Sequence, residues 1–222
     1  MEKKYIYILL AITVLILVCV LFYYYYYLPY QSNVTTYKIP LITNEIQFDE
    51  SYYDTIILRA QPSINSRDTL YVPKLGYGLS FVWEMYIPSV NSNDKWQTSY
   101  NRLKPIISMS DSPVISYHPK KNYLSVVLKY RNNPFYVQFA ELKFEDIKLQ
   151  RWSKYILIIE NRNVKLYIDG FLLSVKTLPN VPVIYDITTN ITLGNINNNF
   201  QGKIKNASLY PYPLTYNEID SV

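Results

Sequence analysis

The sequence predicts an all-β fold, an antiparallel sandwich of two sheets carried behind one N-terminal transmembrane α-helix. Three observations carry that prediction. In the stretch Trp152–Gly170, Tyr155, Leu157 and Ile159 alternate onto one face, and after Asn161-Arg162-Asn163 so do Val164, Leu166 and Ile168. Period-two alternation marks strands with one buried face. Leu79, Phe81, Trp83, Met85 and Ile87 make a second apolar row, with Ser80, Glu84 and Tyr86 on the opposite side and Val82 as the exception. Two such rows facing each other build a core about 10 Å thick. Finally, strand-like runs separated by turn residues recur every 8–12 residues or so, the spacing a sandwich needs.

Taken in order, residues 1–4 form a short N-terminus, and Tyr5–Leu28 is an uncharged apolar and aromatic stretch. About 20 such residues cross a bilayer. Tyr5 and Tyr7 at one end and Tyr23–Tyr27 at the other suit the two membrane interfaces, and Pro29 ends the helix. A cleaved signal peptide would have a shorter apolar region and a small-residue cleavage site. Lys3 and Lys4 precede the span and the next basic residue is Lys38. This bias keeps the N-terminus cytosolic and exports the C-terminal domain. The sequence therefore predicts a single-pass anchor, with the lipid bilayer as one partner.

Residues 29–46 are expected to form an extended stalk and 47–222 the sandwich. Phe48–Ala60 contains the expected first strand, and Gln61–Gly78, with Pro62, Pro73 and Gly76, reads as loop. Asn91–Arg102 is a polar loop carrying Trp96 and Tyr100. Pro105–Met109 and Val114–Tyr117 flank the turn Ser110-Asp111-Ser112-Pro113. Leu124–Tyr130 and Phe135–Ala140 flank another, Arg131-Asn132-Asn133-Pro134. Asp169-Gly170 is a favoured hairpin turn, because both residues tolerate positive φ, and Phe171–Thr177 returns from it. Thr215 with Glu218 predicts a capping box on one short final helix.

Several of these segments together resemble a known family. The Trp152-led strand is followed by Leu166-Tyr167-Ile168-Asp169-Gly170, Ile191-Thr192-Leu193-Gly194, Phe200-Gln201-Gly202-Lys203-Ile204 and Leu209-Tyr210. With Leu214-Thr215-Tyr216-Asn217-Glu218-Ile219 they resemble the C-terminal half of a laminin-G-like domain, a concanavalin A-like jelly roll. The resemblance covers about Gln47–Val222 and is concentrated after Gln150. It implies the jelly-roll fold, and the family includes lectins, glucanases and adhesion proteins.

Chemistry is read mostly by exclusion. The net charge is only +5, from 22 basic and 17 acidic residues, and no dense Lys/Arg block is present. Nucleic acid is therefore not an expected partner. The single cysteine, Cys19, lies in the apolar span, which leaves the exported domain without a disulfide or a thiol nucleophile. The single histidine, His118, reads as a turn residue beside Lys120 and Lys121. Glycosidases need paired carboxylates, and the Glu-x-Asp-x-x-Glu strand of laminarinase-like relatives has no counterpart here. Glu84 stands alone on its strand, while Glu141, Glu145 and Asp146 are interleaved with Lys143 and Lys148 and read as a solvated connection. No enzyme activity is expected.

Some laminin-G domains bind calcium at the rim, and Asp111 is the loop carboxylate that could contribute a ligand here; no other cofactor is expected. Trp96 and Tyr100 are the candidate glycan-binding residues, since a lectin surface needs exposed aromatics beside amide and acid groups. Asn33, Asn190 and Asn206 each begin an Asn-x-Ser/Thr sequon and are glycosylation candidates in an exported domain. Tyr (25 residues) and Asn abound while Gly numbers 5, a bias that resembles membrane proteins of large DNA viruses with AT-rich genomes. Two functions follow as expectations: a membrane-anchored structural or binding protein, for example of a virion, that contacts a neighbouring coat or membrane protein, or a carbohydrate-binding attachment module.

Overall fold

The structure, a computed structural model, describes residues 13–21, 38–48, 53–57, 78–88, 101–133, 136–183, 190–195 and 201–222. Residues 38–222 form one compact unit. Within it, two antiparallel sheets face each other. The first sheet has seven strands. Its order is β1 (Ile39–Ile42), β13 (Gly202–Tyr210), β4 (Gly78–Tyr86), β9 (Trp152–Glu160), β10 (Asn163–Ile168) and β11 (Phe171–Thr177), and β2 (Ile46–Phe48) also pairs with β13. The second sheet has six strands, in the order β3 (Tyr53–Ile57), β12 (Asn190–Gly194), β5 (Lys104–Met109), β6 (Val114–His118), β7 (Tyr123–Asn133) and β8 (Tyr136–Phe144).

The core forms where the two inner faces meet, and the predicted rows fill it. Leu79, Phe81, Trp83 and Met85 from β4 pack with Tyr155, Leu157 and Ile159 from β9 and with Val164, Leu166 and Ile168 from β10. The second sheet supplies Ile107, Ile115, Tyr117, Leu124, Val126, Ile191 and Leu193. Trp83 stacks on its cross-strand neighbour Tyr155, with ring centroids 5.5 Å apart and planes within 13°. The β10–β11 turn is the expected one, with Asp169 and Gly170 at φ of 52° and 81°.

Two expectations are corrected. The sandwich begins at Lys38, not at residue 47: Ile39 pairs with Leu209 and Pro40 with Ser208, and Leu41 and Ile42 are buried. Part of the expected stalk 29–46 is therefore strand. β1 is too short to show alternation, and Pro40 is tolerated because an edge strand leaves one row of N–H positions unpaired. The strand expected first, in Phe48–Ala60, is the third, β3, at the edge of the second sheet. Of the span 5–28, residues 13–21 are helical and the others lie outside the described residues. Among the described residues no helix is long and apolar enough to cross a membrane.

A second apolar cluster explains Val82. Val82, Ile156 and Ile158 lie on the outer face of the first sheet, beneath Tyr210, Leu214 and Ile219 of the C-terminal segment. The Ser80 hydroxyl holds this segment, donating to the Tyr212 carbonyl (3.0 Å) and accepting from the Leu214 N–H (2.9 Å). Gly78 makes room for it: a Cβ there would stand 2.6 Å from Pro213 and 2.1 Å from the Ile159 carbonyl oxygen. The segment ends in the expected helix, Tyr216–Ile219, where the Glu218 carboxylate accepts from the Thr215 N–H at 2.7 Å.

Candidate functional site

The structure does not gather the residues singled out from the sequence. Trp96, Tyr100 and Asn33 lie outside the described residues. Asp111 sits in the β5–β6 turn, where its carboxylate is paired with Lys129 Nζ at 2.9 Å. Among the described residues no three Asp, Glu, His or Cys side chains converge as a metal would require. Asn190 opens β12 and is exposed. Asn206 is exposed on β13, at a bulge with φ of 51°, and its amide donates to Glu84 at 2.7 Å. The two sequons thus fall on different sheets. His118 ends β6 rather than lying in a turn; it packs on Tyr123 at 5.0 Å and accepts from the Lys121 N–H at 3.3 Å. Burial, and next the Lys121 charge, hold its pKa below the ordinary imidazole value.

Two other surfaces stand out. The first is the side of the sandwich where both sheets end. β8 and β11 are the last strands of their sheets, and a groove of about 640 Å³ lies between them. It is lined by Glu141, Leu142, Phe144, Leu173, Ser174 and Lys176, among others. Its shape follows from register. Leu142 and Phe144 pair with the core residues Val126 and Leu124, so they face inward and form the floor. On β11 the pairing slips by one residue at a bulge, which brings Ser174 opposite Leu166 and Lys176 opposite Val164. Polar side chains thereby occupy the inner face of β11, and an edge with an inward-pointing charge does not close over the core.

These two strands also carry a concentration of uncovered apolar surface. Tyr136 (67% exposed), Val137 and Phe139 lie on β8, and Phe171 (79%), Leu172 and Val175 on β11. Among the described residues of the sandwich, only Tyr53, Leu149, Val181 and Tyr216 are comparable exposed large hydrophobics elsewhere. Patterning placed β8 and β11 as strands, but it could not place them side by side, because that depends on the order of strands across two sheets.

The second surface is the half of the first sheet's outer face that the C-terminal segment leaves open. Cross-strand pairing sets Tyr86 against Trp152 and Glu84 against Lys154, with Lys205 on the other side of Glu84. The Tyr86 and Trp152 rings are 6.0 Å apart, and Lys205 Nζ lies 4.5 Å from the Trp152 ring centre. Glu84 bonds Lys205 at 3.3 Å and Asn206 at 2.7 Å. Other carboxylates are likewise engaged: Glu45 by Lys203, Glu160 by Lys165, and Asp169 by Arg151.

Comparison with curated protein sequences gives no match. Solved structures do match. The botulinum neurotoxin serotype G binding domain superposes with a TM-score of 0.55 at 16% identity, covering 85% of this chain and 46% of that one. The receptor-binding domain of botulinum neurotoxin D gives 0.57 at 16% identity, covering 82% and 44%. The binding domain of Paraclostridial Mosquitocidal Protein 1 gives 0.52 at 13%, covering 86% and 47%. The chain spans less than half the length of these neighbours, and identities this low establish a shared fold alone. In sequence, a laminin-G-type model described as the concanavalin A-like lectin/glucanases superfamily matches residues 89–220, which is more than half of the chain. The chain belongs to the concanavalin A-like lectin/glucanases superfamily.

Proposed function

We propose that this protein is a non-catalytic binding module displayed on a membrane, and that the open β8–β11 side is where a neighbouring protein docks. The observation that carries this reading is the crowding of exposed apolar residues onto two neighbouring edge strands, whose outer edges no other described strand pairs with. A sheet edge offers unpaired N–H and C=O groups, so an extended partner segment can add a strand to it while its side chains enter the groove. Apolar surface left uncovered around such an edge marks an interaction site.

Anchoring by residues 5–28, with the N-terminus cytosolic and the sandwich on the far side, rests on the uncharged run and on Lys3 and Lys4. A binding role rather than hydrolysis is supported by Glu84, whose carboxylate is taken up by Lys205 and Asn206 instead of facing a second acid across a cleft. The compositional likeness to proteins of large DNA viruses makes a coat or envelope protein of a virion the neighbour to test first. Crosslinking of the full-length protein in its native membrane, followed by mass spectrometry, is the test. Crosslinks from Lys143 and Lys176 to one second polypeptide are expected. Crosslinks confined to lysines away from β8 and β11 would overturn the reading.

A further inference from the structure

We propose that the extended segment entering the β8–β11 groove carries a basic side chain at one end and an acidic one at the other, a reading that rests on the docking role proposed for this side. The groove is itself charged in opposite senses at its two ends. β8 stops at Phe144, and Glu145 and Asp146 continue the groove wall from there. Arg151, at the close of the same β8–β9 connection, pairs with Asp169 in the β10–β11 turn. The two carboxylates therefore lie towards the end of the groove nearest that turn. β11 runs away from the turn, and Lys176, near its finish, lines the groove towards the other end.

The charges in the middle are satisfied and those at the ends are not. Glu141 accepts from the Ser125 hydroxyl at 2.8 Å and lies 3.4 Å from Lys143 Nζ, which in turn sits 5.4 Å from the Tyr123 ring centre. Glu145, Asp146 and Lys176 are exposed and have no ion pair or side-chain hydrogen bond among the described residues. Between the two ends, Leu142 and Leu173 are half-buried and pack on the core. Along its length the groove is thus negative, apolar and positive. An extended segment turns alternate side chains to one face at ~3.3 Å per residue, so three that enter together span about 13 Å. A basic, an apolar and an acidic side chain at those three positions would meet each part of the groove in turn. The apolar edges supply affinity, while the solvent-facing charges select the segment and fix its direction.

The test is titration of the full-length protein in nanodiscs with capped, fluorescent Val/Thr strand peptides that carry two charged residues at those outer positions. One probe has Glu and Lys, made in both chain directions; one has Lys at both positions and one has Glu at both. The mixed probe, in at least one direction, is expected to bind about threefold or more tightly than either like-charged probe, the scale of one exposed ion pair. Lys176→Glu, a change at an exposed side chain, is expected to make the two-Lys probe the tightest, with an unchanged melting temperature. Equal binding of all probes, an unchanged ranking in Lys176→Glu, or no binding would overturn the proposed charge pattern. In the native membrane, crosslinks from Lys143 to a second polypeptide are expected to be lost in Glu145→Arg. If they persist there, the charge pattern fails and the docking role stands; if the unaltered protein forms none, the docking role itself fails. A crosslinked segment without this pattern, or a crosslink to a second copy of this chain, would also overturn it.

Discussion

The first sheet exposes apolar residues in two places and treats them in opposite ways. On its outer face, Val82, Ile156 and Ile158 are covered by the chain's own C-terminal segment, fastened through Ser80. On its β11 edge, Phe171, Leu172 and Val175 are left in solvent, as Tyr136, Val137 and Phe139 are on β8, the edge strand of the other sheet. The same side-chain chemistry thus serves two purposes. Where the chain supplies its own cover, the apolar face adds to stability. Where it does not, the surface is available to another molecule.

That contrast can be broken most sharply by matched truncations. Ile158→Ala, beneath the C-terminal segment at 1% exposure, is expected to cost about 2–5 kcal/mol, since it leaves a cavity. Val175→Ala on the open edge is expected to stay within about 0.5 kcal/mol. Urea denaturation of both variants checks the pair, and equal losses would erase the distinction. Ser80→Ala comes next: it strands the buried Leu214 N–H and should cost about 1–3 kcal/mol, visible as a lowered unfolding midpoint.

Alkaline pH sharpens the same comparison. Burial first, and then the Glu218 carboxylate, push the Tyr212 hydroxyl up to about 12 from its ordinary 10. A raised phenol pKa means that the folded state favours the neutral form. Its contribution is intact below about pH 10 and is lost as the pH rises towards 12. Melting temperature is therefore expected to fall across that window, and to fall less in Tyr212→Phe. The smallest effect on stability belongs to the open edge. Leu172→Lys should leave the unfolding midpoint nearly unchanged while abolishing the crosslinks from Lys176 to a second polypeptide.

What the sequence made legible was local. The β9–β10–β11 meander could be read because its alternation, its Asp169-Gly170 turn and its apolar face all lie within one continuous stretch. The Thr215–Glu218 box is local in the same sense. The cover on the first sheet left a trace that patterning passed over. Ile156 and Ile158 fill the outward positions between Tyr155, Leu157 and Ile159, and a continuous apolar run of that kind signals burial on both faces. Val82 is the same signal on β4.

The open groove left no such trace, because Glu141–Asp146 and Leu173–Lys176 meet only through the order of strands in two separate sheets. Glu141, Glu145 and Asp146 read as a solvated connection in sequence, and in space they form one wall of that groove. The Tyr86–Trp152 pair depends likewise on the register between β4 and β9, which is set by residues far apart in the chain.

The docking role of the open side is tested most directly by amide hydrogen exchange, comparing the purified full-length protein in detergent with the same protein in its native membrane. Amides of Phe171–Thr177 and Val137–Glu141 should exchange more slowly in the native membrane, as a partner strand takes up the hydrogen-bonding positions that no described strand fills. Identical exchange along both strands in the two settings would contradict the account.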